Sequence, residues 1–153
     1  MGWSYHYDVD NRLVEATRDD GRQVRDVYDA LGRRLAETCG GTTRWFGWDG
    51  DILVDEQGHH GEHRLVVFGA DEVSPVLELQ KGQGSRLVAH DAVSLPWLYL
   101  DQNGNVAELE VSAWGEVVHA SGAPGPIRFA GQQADPLTGL HYNRNRSARP
   151  STR

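Results

Sequence analysis

Apolar and polar residues alternate with period two along much of the chain. Trp3, Tyr5 and Tyr7 are aromatic at every second place, with Ser4 and His6 between them. Thr43 to Trp48 mixes β-branched and aromatic residues, and Arg64 to Phe68 is a short apolar run. Val76 to Leu79, Leu98 to Leu100 and Val106 to Val111 are further short segments bounded by turn residues. Such runs of about four to eight residues predict strands. The stretch Asp26 to Glu37 has some helical character, but Gly32 in its middle costs ~1 kcal/mol relative to alanine. No segment predicts a helix of three turns.

Turn signals are dense. Asp10-Asn11, Asp20-Gly21, Gly40-Gly41, Asp49-Gly50 and Asn103-Gly104 all fall between alternating runs. Asp-Gly and Asn-Gly favour hairpins because both residues tolerate the left-handed backbone of a tight turn. The punctuation also repeats. Tyr7-Asp8-Val9-Asp10-Asn11-Arg12 matches Tyr28-Asp29-Ala30-Leu31-Gly32-Arg33 one period of 21 residues later, and Trp48-Asp49-Gly50-Asp51 follows 20 residues on. Val111 to Val117, with Trp114 and Gly115, keeps the ending of the unit but not its Tyr-Asp opening. Two short strands per unit is repeat architecture, in which each unit buries its apolar face only against a neighbour. The recurring Asp8, Asp29 and Asp49 are expected to accept backbone hydrogen bonds at the turns rather than to act in catalysis.

Composition narrows the function. The chain has 153 residues, enough for one modest domain. Its net charge of −7 argues against general nucleic-acid binding. One cysteine, Cys39, excludes an internal disulfide framework. No apolar run is long enough to span a bilayer. The polar, aromatic N-terminus does not read as a signal peptide, so cytoplasmic location is the default. Charge is uneven: residues 1–127 carry 10 basic and 21 acidic groups, whereas residues 128–153 carry five arginines against Asp135. The reading favoured is that this basic tail docks on the acidic remainder, with a nucleic-acid or membrane surface as the alternative.

With the repeat established, Tyr28-Asp29-Ala30-Leu31-Gly32-Arg33-Arg34-Leu35 resembles the Tyr-Asp repeat of the Rhs and YD-repeat proteins, and Trp45 to Asp51 resembles the strand pair that follows it. The most specific match runs from Pro126 to Arg146. There Arg128, Phe129, Gly131, Gln132, Asp135, Gly139, Leu140, Tyr142, Asn143 and Arg144 resemble the signature of the Rhs repeat-associated core domain. The resemblance implies an all-β fold: a fragment of a YD-repeat antiparallel β-sheet spiral with a short core-domain segment at its C-terminal end. It divides the chain into hairpins at 1–60, a degenerate continuation at 61–120, the start of the core at 121–146 and a divergent tail at 147–153. It also implies a mechanical role. Rhs repeats wind into a hollow shell around a toxin segment. The core domain plugs the shell and often frees the toxin by aspartyl autoproteolysis, and full-length relatives use specialised secretion.

This sequence departs from the family pattern after Arg146, where Ser147 to Arg153 replaces the double tyrosine and the aspartates of the cleavage region. The expectation is therefore a non-catalytic shell fragment without a cleavage site or toxin domain, with no cofactor, metal or small-molecule ligand. The implied partners are other Rhs-like chains or the remainder of the shell; the alternative is an interaction module that adds strands to such a chain. Asp135-Pro136 is expected to shape a turn. His59, His60 and His63 lack the further ligands that a zinc site needs. Asp101 to Asn105 fits a hairpin better than a calcium loop, because its glycine is misplaced. The five tryptophans are expected to fill interlayer or cross-strand contacts.

Overall fold

The computed structural model describes residues 2–113, 115–129, 131–143 and 146–148. Its strands are β1 (Trp3–Tyr7), β2 (Leu13–Arg18), β3 (Gln23–Tyr28), β4 (Arg34–Cys39), β5 (Thr42–Asp49) and β6 (Ile52–Gln57). They continue as β7 (His63–Phe68), β8 (Pro75–Gln80), β9 (Gly84–His90), β10 (Pro96–Asp101), β11 (Val106–Val111) and β12 (Val117–Ser121). These twelve form one antiparallel sheet in sequence order, each strand joined to the next by a hairpin. A second sheet holds β13 (Gln132–Ala134), β14 (His141–Asn143) and β15 (Arg146–Ala148). There is no helix among the described residues, so none is long and apolar enough to cross a membrane. Asp26 to Glu37, where the sequence left a helical alternative, is the β3–β4 hairpin.

The repeat is visible as one loop geometry used again and again. In residues 8–12, 29–33, 91–95 and 112–116 the first N–H donates to the fifth carbonyl at 2.8–3.0 Å. The fourth N–H donates back to the first carbonyl at 2.9–3.1 Å. The fourth residue carries a positive φ: 61° at Asn11, 80° at Gly32, 63° at Ser94 and 83° at Gly115. A left-handed residue closes the loop, and asparagine or glycine adopts that conformation at least cost. Ser94 adopts it while its hydroxyl lies 2.8 Å from the Ser74 hydroxyl in the neighbouring loop.

Two faces of the sheet differ in kind. On one face the register sets Glu37 opposite Arg44, Glu56 opposite Arg64 and Glu78 opposite Arg86. The segment from Ala123 to Tyr142 packs over this charged face. On the other face Val67, Leu77, Leu87, Leu100 and Val106 stand directly opposite one another across β7 to β11. Trp45 and Trp97 are 58% and 48% exposed, and Trp45 stands opposite Ala36 and Gln57, a cross-strand rather than an interlayer position. Among the described residues one segment covers one face of the sheet, and no second layer lies on the other.

Candidate functional site

The Asp-centred loops are built by local chemistry. Asp8 Oδ1 accepts the N–H groups of Asp10 at 3.0 Å and Arg12 at 2.9 Å, while its Oδ2 accepts Arg12 Nε at 2.7 Å. Asp29 repeats the pattern with Leu31, Arg33 and Arg33 Nε at 2.9, 2.9 and 2.7 Å. The loops are also stitched together: Arg33 Nη1 donates to Gly50 O at 2.7 Å, and Arg12 Nη1 reaches Asp29 O at 3.5 Å. The backbone donation from Arg12 holds the Asp8 carboxyl below its ordinary range. Asp49 does not share this place. It ends β5 and pairs with Ile52 across the two-residue turn Gly50-Asp51, too short a loop for its carboxylate to close. Tyr7 ends β1 opposite Leu13, and Tyr28 ends β3, donating its hydroxyl to Leu13 O at 2.8 Å.

Asp91, by contrast, is a loop-closing aspartate hidden from the sequence reading. Its Oδ1 accepts Val93 N at 2.9 Å and Leu95 N at 3.0 Å. His90 stands where tyrosine stands in the earlier units, and Ser94 where asparagine or glycine does. Asp101 Oδ1 accepts Asn103 N and Asn105 N, both at 2.8 Å, which makes that segment a hairpin turn. Arg22 Nε donates to Cys39 Sγ at 3.1 Å. His63 Nε2 lies 2.6 Å from Asp55 Oδ1, and the His59 and His60 rings meet edge to face. Among the described residues no three His, Cys, Asp or Glu side chains are grouped to hold a metal ion.

The densest chemistry lies where the core-like segment meets the sheet. Arg34 is buried, and its Nη1 lies 3.0 Å from Asp135 Oδ2, 3.3 Å from Glu37 Oε1 and 3.5 Å from Asp26 Oδ2. Its guanidinium lies 4.5 Å from each of the Phe46 and Tyr142 ring centroids. Arg44 binds Glu37, Glu56 at 2.8 Å and Asp135 at 3.4 Å. Arg64 continues the chain to Glu56 at 2.7 Å and Glu78 at 3.3 Å, and Arg86 ends it on Glu78 at 2.8 Å. Tyr142 Oη accepts Arg34 N–H at 3.0 Å, while Trp48 Nε1 donates to Arg34 O at 2.8 Å. Both backbone groups of Arg34 are thus held by aromatic side chains, and Trp48 and Tyr142 meet edge to face at 6.0 Å.

The core-like segment is itself a set of turns. Arg128 N–H donates to Gln132 O, and Gln132 N–H to Phe129 O, with Gly131 at φ 69°. Asp135 N–H donates to Leu140 O, and Gly139 N–H, at φ 71°, to Asp135 O. Asp135 Oδ1 also accepts Leu137 N–H at 2.9 Å, so Asp135 shapes the turn as well as meeting Arg34. Gln132 pairs with Asn143, which pairs in turn with Arg146. Gly115 lies against this sheet: a Cβ there would fall 2.9 Å from His141 Cε1 and 3.0 Å from Gln132 Oε1. Trp114 and Arg144 lie outside the described residues. Of the tail's five arginines only the side chain of Arg128 is among those described, so the expected docking of the basic tail lies largely outside them. The acid of the tail, Asp135, enters arginines of the sheet.

Burial sets the protonation of the cluster. It raises the Glu37 carboxyl to about 8, with the neighbouring Asp135 adding to the effect. Burial would raise Asp135 too, but the hydrogen bond from Glu37 and the charge of Arg34 hold it at about 2. Burial lifts Asp26 to about 6 against the pull of Arg34. The two neighbouring carboxyls are thus pushed apart, Glu37 upward and Asp135 downward. Such a pair can serve acid–base hydrolysis. Here, however, both Asp135 oxygens are already occupied by Arg34, Arg44 and Leu137 N–H.

Comparison with known proteins places this geometry. No family model matches the chain. A double-stranded DNA deaminase toxin A from Burkholderia cenocepacia (strain H111) is 33% identical over 91% of this chain and 12% of its own length. A probable deoxyribonuclease RhsB from Dickeya dadantii (strain 3937) is 27% identical over 97% of this chain and 11% of its own length. In the Photorhabdus luminescens Tc holotoxin pore, one solved chain overlays with a TM-score of 0.73 at 17% identity, over 97% of this chain and 8% of that one. The homologues are Rhs and toxin proteins, and the chain is related to the Rhs family along nearly its whole length. It spans about a tenth of the curated relatives it matches.

Proposed function

We propose that this chain is a non-catalytic wall-and-plug element of an Rhs toxin shell. In this reading residues 1–60 and 61–120 form the wall, and 121–146 begin the core that closes over it, followed by the divergent 147–153. The observation that carries it is Asp135, which enters from the core-like segment and binds Arg34 and Arg44 of the sheet. Its contacts with Arg34 and Arg44 fasten the segment down, while the Leu137 N–H shapes the segment's own turn. The chemistry in the relatives' names, deamination and deoxyribonuclease action, belongs in this reading to other parts of those much longer proteins.

Incubating the purified chain and following its intact mass tests the proposal. An unchanged mass, with Asp135→Asn altering stability alone, is expected. A specific internal cut that disappears in Asp135→Asn would overturn it.

A second reading rests on the strand order. β1 and β12 end the twelve-stranded sheet, so each has one edge without a strand partner in that order. Such edges add strands from another chain, and an Rhs-like chain or the rest of a shell is the partner that fits. Light scattering of the purified chain across a concentration series distinguishes an associating species from a monomer.

A further inference from the structure

An open cleft of about 660 Å³ lies between the charged face of the sheet and the segment around Pro124 to Pro136. Arg34, Arg44, Arg64 and Arg128 line it together with Glu56 and Glu62. Three of these arginines are committed to carboxylates of the fold. Arg128 is not. It is 9% exposed, its Nη1 donates to Gly125 O at 2.9 Å and Ile127 O at 3.1 Å, and its buried Nε has no partner among the described residues. Burial lowers its ionisation from the ordinary guanidinium value, and only the Tyr99 phenol acts the other way.

A buried cation that no carboxylate among the described residues pairs is costly to the fold, and backbone carbonyls supply only partial compensation. Arg128 lines the cleft, so an anion seated there beside its guanidinium would reduce that cost. The remaining lining says what carries the anion. Phe46, Pro124, Pro126 and Pro136 give the cleft apolar walls. A bare ion gains nothing from such walls, whereas a polypeptide can bury side chains against them while presenting one acid.

We propose that this cleft receives an acidic side chain of an extended polypeptide, with Arg128 as its counter-charge. The inference rests on the wall-and-plug reading only for the source of that polypeptide, which would be a segment held against the covered face of the shell. Binding itself requires nothing but the cleft.

A short blocked peptide with one glutamate flanked by leucines, and the same peptide with glutamine in its place, test this by calorimetric titration of the whole chain. The glutamate peptide should bind at least about tenfold more tightly, a difference of about 1.4 kcal/mol. Arg128→Gln should erase that preference, whereas Arg25→Gln, at an exposed arginine on the opposite face, should keep it. If Arg128→Gln does not fold, the comparison of the two peptides on the unaltered chain decides. Equal affinities, no binding of either peptide, or tighter binding of a single-stranded oligonucleotide would each overturn the proposal. Loss of the intact-mass result would overturn the wall-and-plug reading and leave this one standing.

Discussion

Tyr142 Oη accepts the backbone N–H of Arg34 at 3.0 Å, and the ring of the same tyrosine lies 4.5 Å from the Arg34 guanidinium. One side chain of the core-like segment therefore holds both the main chain and the charge of one residue of the sheet, 108 positions earlier. The contact has a direct consequence for Tyr142→Phe. The ring stacking survives, but a buried N–H loses its acceptor, which costs about 1–3 kcal/mol. The urea midpoint should fall accordingly, and the emission of Trp48, packed against the same ring, should shift. An unaltered midpoint would remove the hydroxyl from the account of how the plug is held.

Arg34 is the hub that three carboxylates share. Arg34→Met keeps much of the stem but leaves Glu37, Asp26 and Asp135 without their common cation. Removing one partner of a buried ion pair costs roughly 3–5 kcal/mol. Denaturant unfolding should show a loss in that range. Replacing Arg25, whose pair with Glu15 is screened by solvent, should cost far less. Equal losses at the two arginines would contradict the burial argument.

Stability should depend on pH through the same cluster. Glu37 has an ordinary value of 4.5 and is raised to about 8 in the fold, so the folded chain holds an extra proton between those limits. Its stabilising contribution is complete below the lower limit and is lost as pH rises through about 8. Asp26 acts in the same direction between 3.8 and about 6. Asp135 acts in the opposite one: its contribution is present above 3.8 and lost as pH falls toward about 2. The plug should thus loosen on going from mildly acidic to alkaline solution. In Glu37→Gln, which cannot ionise, the fall between pH 4.5 and 8 should be markedly shallower. Urea midpoints for both proteins across that interval provide the comparison, and parallel curves would refute the assignment.

Gly104 and Gly115 have nearly the same backbone, with φ of 84° and 83°. A Cβ at Gly104 would meet nothing within 4 Å, whereas at Gly115 it would strike His141 and Gln132. Alanine at Gly104 should cost about 1 kcal/mol from the left-handed backbone alone. Alanine at Gly115 should cost about 1–3 kcal/mol more, because the last hairpin loop must then lift from the core sheet. Thermal melts of the two variants separate backbone strain from docking, and identical shifts would mean that the Gly115 loop does not bear on the core.

The amino-acid sequence by itself determined the local structure. Period-two alternation and Asp, Asn and Gly punctuation specify short strands joined by tight hairpins, because side-chain caps and left-handed residues act within five positions. Asp8 and Asp29 were legible for that reason. Asp91 was not, because His90 and Ser94 break the residue pattern while the backbone hydrogen bonds remain the same. Asp49 was misread because its spacing fits the repeat although its turn is one residue shorter than needed.

Tertiary structure alone decided the rest. Glu37, Glu56 and Glu78 look in sequence like solvated charges. Antiparallel register places each opposite an arginine, and the core-like segment then covers Glu37 and Glu78 and half-buries Glu56. Asp135 lies 101 residues from Arg34, so only the folding of the last segment across the sheet brings their charges together. Among the described residues the same fold leaves Arg128 buried without an acid, a relationship that no local spacing encodes. Register and coverage are long-range properties, set by which strands pair and which face is closed, and they convert an ordinary charge pattern into a buried lock.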